Sequence, residues 1–164
     1  MNKSPDDPVL REVAVGPIQA EYAKHYGVVT QRFFAGLQSL QVRRSRATGL
    51  EYFTPAGISG DDQFYAALGA LPWYYADWRW EYEVTPAYLG DKSAAQVLEI
   101  GSGAGHFLTQ LIEAHGLRPL QVTGLELNSA AVTACQQQGL QVKAELIQAH
   151  ASKHTSRYDL VCSF

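Results

Sequence analysis

Cysteine is scarce in this 164-residue chain: Cys135 and Cys162 are the only two, and they form no C-x-x-C pair. That excludes a disulfide-stapled scaffold and a thiolate zinc cluster. Both thiols are expected to be reduced and buried. Charge of one sign is also in short supply. The net charge is −3, whereas a general binder of phosphate backbones is usually basic. The short basic cluster Arg43, Arg44 and Arg46 therefore reads as a solvated face, and no nucleic-acid partner is expected. No apolar run approaches the roughly 20 residues that span a bilayer. The opening MNKSPDDPVL lacks the apolar core of a secretory signal. No membrane partner is expected, and the cytoplasm is the expected location.

What the chain does have is apolar bulk, 46% of its residues against 18% charged. That marks a globular protein with one real core, one domain with an extension being the simplest division. The sequence is organised around residues 97–107, VLEIGSGAGHF. A short apolar run with one acid, Glu99, meets glycines at alternate positions, and a helical pattern begins at Phe107, Leu108, Leu111 and Ile112. This reads as strand, tight turn, helix start. Gly101, Gly103 and Gly105 can take positive φ and let a ligand approach the backbone. The helix start offers unpaired N–H groups and a partial positive charge to an anionic group.

A dinucleotide fingerprint would place a small residue at position 106, where this chain has His106. A nicotinamide dehydrogenase fragment is disfavoured on that ground and by Glu99. The second marker is the apolar run from Leu120 to Glu126. An acid at the tip of a second strand suits hydrogen bonds to ribose hydroxyls. Its competing reading is an acid favouring the macrodipole of the helix from Ser129.

The spacing E-x-G-x-G-x-G over Glu99–Gly105 resembles the first motif of class I S-adenosylmethionine-dependent methyltransferases, and GLELN over 124–128 resembles their second. The resemblance implies S-adenosyl-L-methionine as cofactor, held by Glu99, Gly101, Ser102, Gly103, Gly105, Glu126 and Leu127. It also favours the ribose role for Glu126. In that family an acid after the third strand often meets the adenine amino group. Glu145 stands there, with an exposed helix-start acid as the equal alternative; Leu146 would supply a backbone contact instead.

The segment 73–90 is rich in aromatics: Trp73, Tyr74, Tyr75, Trp78, Trp80, Tyr82 and Tyr88. A helix would stack Trp78 and Tyr82, four apart, on one face against the sheet. The sharper reading puts Tyr74, Tyr75 and Arg79 on the cofactor cleft, with Arg79 meeting the cofactor carboxylate. Trp80-Glu81 resembles a Y-Y…W-E segment of small-molecule methyltransferases that carry an N-terminal zinc knuckle. The phrase from Val42 to Phe53 resembles the second knuckle of that group, with Ser45 and Thr48 where cysteines would stand. Ala23 and Tyr26 mark the first less securely. Hydroxyls are poor zinc ligands, so no metal is expected, and His25 has no partner spacing.

The expected fold is α/β: a Rossmann-like parallel sheet with helices on both faces, incomplete, after a small β-hairpin and helical N-terminal region. The expected divisions are a small β-rich region over 1–60, an aromatic helical segment over 61–95, and the first part of the cofactor-binding domain over 96–164. Within them, residues 1–20 read as a mobile start that becomes ordered only where Val9, Leu10, Val13 and Val15 find something to cover, and 22–54 as hairpins. Strands are expected at 97–100, 121–126, 140–144 and 158–164, with helices at 105–116, from Ser129, and at 145–154.

Because the sequence ends in or after a fourth strand, a truncated gene product or partial sequence is expected, with self-association through an exposed sheet edge. The expected activity is methyl transfer to a small-molecule acceptor. The alternative is a truncated, non-catalytic cofactor-binding or interaction module. No convincing general base appears; His106, beside the turn, is the nearest candidate and reads rather as an accident of helix start.

Overall fold

The computed structural model describes residues 4–164. The chain forms two compact units, Met1–Gly60 and Asp61–Phe164. In the first, β1 (Val9–Ala14) runs into α1 (Val15–Tyr26), followed by α2 (Gln31–Phe34), β2 (Ser39–Arg44) and β3 (Glu51–Thr54). Among the described residues the strands form an antiparallel sheet in the order β1-β2-β3. Val15, Phe34 and Leu40 are its small core, with Ile18, Phe33, Leu37 and Ile58 packed around them.

The expected mobile start is ordered from Val9, where residues 9–14 pair as a strand; its first three residues lie outside the described residues. One expectation for this unit is corrected: residues 15–26 are a helix, rather than a mobile stretch to 20 followed by hairpins from 22. Val15, Ile18 and Tyr22 recur at helical spacing, and Pro17 falls in the first turn, where a missing N–H costs nothing. Gly27, at φ 66, closes the helix with its N–H on the Tyr22 carbonyl.

The knuckle-like phrase is a hairpin turn held by hydroxyls. Ser45 is buried, its Oγ accepts the Thr48 N–H at 3.3 Å, and its carbonyl accepts the Gly49 N–H at 2.8 Å. Among the described residues no group of three or more His, Cys, Asp or Glu is arranged to hold a metal.

The second unit opens with α3 (Asp62–Gly69) and α4 (Trp80–Val84). The sequence offers Asp61 or Asp62 as the cap of the first, and Asp61 fills the role, accepting the Phe64 N–H at 2.9 Å. Strands and helices then alternate: β4 (Val97–Ile100), α5 (His106–Glu113), β5 (Val122–Leu125), α6 (Ser129–Gln137), β6 (Val142–Lys143), α7 (Ile147–Lys153) and β7 (Leu160–Cys162). β4 spans the residues its sequence pattern predicts, while β5, β6 and β7 are shorter than theirs, because only the residues facing a neighbour in register are paired. The sheet order is β6-β5-β4-β7 and every pairing is parallel. This is the Rossmann-like α/β architecture.

Alternation along β4 shows how the helices are shared between the faces. Val97 joins the core with Phe107, Leu108 and Leu111 of α5 and Val132 and Cys135 of α6. Leu98, pointing the other way, lines a smaller cavity with Ile147, His150 and Ala151 of α7. No described helix is long and apolar enough to cross a membrane.

The aromatic segment departs from its expected helix. Only Trp80–Val84 is α-helical, followed by a 3-10 turn over Thr85–Tyr88. Trp78 lies outside the helix and is exposed, while Tyr82 is buried. The Tyr82 ring packs on Phe107 at 5.2 Å and on Phe164 at 5.2 Å between centroids. Tyr82 thus anchors the helical part of the segment in the core, while Trp73, Trp78 and Trp80 are exposed.

Candidate functional site

Counting outward from β4, the chain builds β5 and β6 on one side and β7 on the other. Loops leaving the strands therefore diverge at the carboxyl ends of β4 and β7, the place where open α/β sheets form a crevice. A cavity of about 410 Å³ lies there, within the size range of small-ligand sites. Its lining includes Glu99, Gly101, Ser102 and Gly103 from the turn after β4, Glu126 and Leu127 from the tip of β5, Glu145, and Tyr75 and Arg79. Nine of the ten residues singled out in the sequence meet on this one cavity.

Gly105 is the exception. It starts α5 at φ 80, and a Cβ there would lie 2.6 Å from Leu140 and 3.0 Å from the Cys135 sulfur. Its lack of a side chain serves helix packing. The other two glycines differ again. Gly101, at φ 76, has open space where a Cβ would be, whereas one on Gly103 would lie 2.6 Å from the Tyr75 ring.

Glu126 ties the turn to the second strand. One carboxylate oxygen accepts the Gly103 N–H at 2.8 Å. The other accepts the N–H groups of Leu127 at 2.7 Å and Asn128 at 2.8 Å. Asn128 caps α6 through Ala130 and Ala131 and donates to the Tyr75 hydroxyl at 3.1 Å. Burial pushes that phenol up to about 12, outweighing the Asn128 hydrogen bond.

Glu99 is set differently. It stands between Gly124 of β5 and Cys162 of β7 in the sheet register and is only 2% exposed. Its Oε2 and the Ser102 Oγ are buried with no hydrogen-bond partner among the described residues. A polar atom left so costs about 1–3 kcal/mol, which a hydrogen-bonding ligand would remove. Burial pushes the Glu99 carboxyl up to about 8, against the pull of Arg79 and with a further push from Glu126. Arg79 also hydrogen-bonds Tyr82.

Glu145 has partners of its own. Its oxygens accept from Lys153 Nζ at 2.7 Å and meet His150 Nδ1 at 2.9 Å. The Lys153 bond, then the His150 bond, pull its carboxyl down to about 2. His106 lines the cavity and lies 3.4 Å from Asp77.

Several contributors escaped the sequence reading. Tyr65 lines the cavity, and Gly69 leaves room for the Tyr75 ring. Gly124 has a legible signal, since a glycine inside a strand marks close approach. A Cβ there would lie 2.8 Å from Ser102 Cβ and 2.9 Å from Leu108.

With that geometry in view, one comparison bears on the chain. Residues 87–162 match the family model of methionine biosynthesis protein MetW. The matched span, similar to a methyltransferase-like family, carries β4 to β7, the glycine turn, Glu99, Glu126 and Glu145. It leaves out Tyr65, Tyr74, Tyr75, Arg79 and Tyr82, which precede it and form one wall of the cavity. No curated protein matches the chain.

Proposed function

We propose that the cavity binds S-adenosyl-L-methionine and that the chain is the cofactor-binding part of a methyltransferase acting on a small-molecule acceptor. One observation carries the reading. Two carboxylates at the carboxyl ends of neighbouring parallel strands flank a glycine turn, and one has a buried oxygen with no protein partner. The residues present suit such a ligand. Glu126, on the tip of β5, is placed to accept ribose hydroxyls while it holds the turn. Glu99 offers an acceptor for an ammonium group, Arg79 a donor for a carboxylate, and Tyr65, Tyr74 and Tyr75 apolar faces. When bound, the cofactor supplies an electrophilic methyl group on its sulfonium.

The chain's own part is positioning, because methyl transfer depends on in-line alignment and needs a base only where the acceptor must lose a proton. Glu126 fixes the turn, and the Tyr75–Asn128 bond fixes the ring that lies over Gly103. Glu145, engaged by Lys153 and His150, holds the far wall rather than reaching freely into the cavity. Titration calorimetry with S-adenosylmethionine and with NAD tests the reading. Binding of the first and not the second is expected, and a preference for NAD would overturn it.

Arg79 gives a sharper test. Arg79→Ala should weaken S-adenosylmethionine binding about tenfold or more, equivalent to roughly 1.4 kcal/mol. Its melting temperature should fall only modestly, since the Arg79 side chain makes no capping bond to α4 and its hydrogen bond to Tyr82 is worth about 1 kcal/mol. Equal affinity in the two proteins would remove Arg79 from the site.

A further inference from the structure

The buried acid of the turn does more than fill a hydrogen-bond position. Glu99 faces the cavity floor with its Oε2 unpartnered among the described residues. The ionisable groups around it come from every element packed nearby. They are Arg79 before α4, Tyr82 in α4, His106 at the start of α5 on the same cavity, Glu126 after β5, Cys135 in α6 and Cys162 in β7. Arg79 is the one permanent cation among them. The carboxylate of Glu126 opposes a second negative charge, and both thiols are held protonated by burial, Cys162 at about 12. An ionised, dehydrated carboxylate without a hydrogen bond is strongly disfavoured in such surroundings.

We propose that Glu99 is a neutral carboxylic acid in the open cavity and becomes a carboxylate when a cationic ligand enters, releasing one proton to solvent. Glu99 thereby reads the charge of the ligand. A ligand with an ammonium and a sulfonium supplies the positive charge that the protein alone does not, and the ionised acid then accepts its N–H hydrogen bonds. The inference rests on the S-adenosylmethionine reading and adds its proton linkage. The sign follows from the balance. The complex holds one proton fewer than the free protein, so affinity rises with pH as long as free Glu99 is protonated. The rise is at most tenfold per pH unit and levels off near pH 8, where the free acid ionises unaided.

Two measurements on the full chain test this. In the first, carboxyl carbons of glutamate are labelled and titrated by NMR without ligand, Glu99→Gln identifying the signal. A midpoint above pH 7 is expected; one in the ordinary range near 4.3 overturns the proposal whatever the cavity binds. In the second, S-adenosylmethionine is titrated calorimetrically at pH 7 in two buffers of different ionisation enthalpy. Close to one proton should be released, and the release should vanish in Glu99→Gln. Binding with no proton release overturns the coupling alone. No binding at all overturns the ligand and the coupling together, while the NMR midpoint still reports the free acid. If Glu99→Gln does not fold, Arg79→Met replaces it. Loss of the guanidinium should move the Glu99 midpoint higher, and an unmoved midpoint would count against the arrangement.

Discussion

Glu126→Ala is expected to abolish S-adenosylmethionine binding and to lower the stability of the second unit by about 2–4 kcal/mol. The carboxylate accepts three backbone N–H groups, those of Gly103, Leu127 and Asn128. Gly103 and Asn128 are buried bonds, so truncation leaves at least two donors without water or protein, at about 1–3 kcal/mol each. Glu126→Gln should fall between. Its amide offers one carbonyl oxygen, which can serve either the turn or the start of α6, and its NH2 meets a donor on the other side. Urea unfolding gives the stabilities, and calorimetry the affinities. If Glu126→Ala unfolds at the same urea concentration as the parent, the tether between the two strand tips is not what holds the turn.

The chemistry at the strand tips was legible because it is local. Glycines at alternate positions after an apolar run, an acid two residues before them and a second acid after the next run need no long-range information. The Asp61 cap and the alternation of strands and helices are of the same kind. What escaped was set by distance in sequence. Tyr75 packs on Gly103 and binds Asn128, contacts that no periodicity within residues 73–90 encodes. The exposed Trp78 and the buried Tyr82 look alike in a hydropathy pattern; only the rings of Phe107 and Phe164 separate them.

Helix α1 is hard to read in the sequence for a different reason. Pro17 and Gly27 are turn markers in isolation, yet one stands in the first turn and the other at the end of the helix, the two places where helices accept them. Glu145 shows what position in the sequence leaves out. It lines the cavity as its place after a strand suggests, but the bonds that hold its two oxygens come from Lys153 and His150, later in the chain.

The three glycines of the turn also carry unequal weight. Gly103→Ala is expected to destabilise the unit by about 3–6 kcal/mol, whereas Gly101→Ala should cost only the left-handed conformation, about 1–2 kcal/mol. At Gly103 a methyl group would sit 2.6 Å from Cδ1 and 2.8 Å from Cε1 of Tyr75. That ring has little room to yield, because its far edge rests against Gly69 and its hydroxyl accepts from Asn128. Overpacking of this kind typically costs about 1–3 kcal/mol, and the displaced Tyr75 hydroxyl adds a lost hydrogen bond of about 1 kcal/mol. A double-mutant cycle isolates the cause. In Tyr75→Ala the clash and the hydrogen bond are both gone, so adding Gly103→Ala should cost little more than Gly101→Ala does in the parent, a coupling of about 2–4 kcal/mol. Strict additivity of Tyr75→Ala and Gly103→Ala in urea unfolding would show that the turn glycine is required by its backbone angle alone and that the aromatic segment does not brace the site.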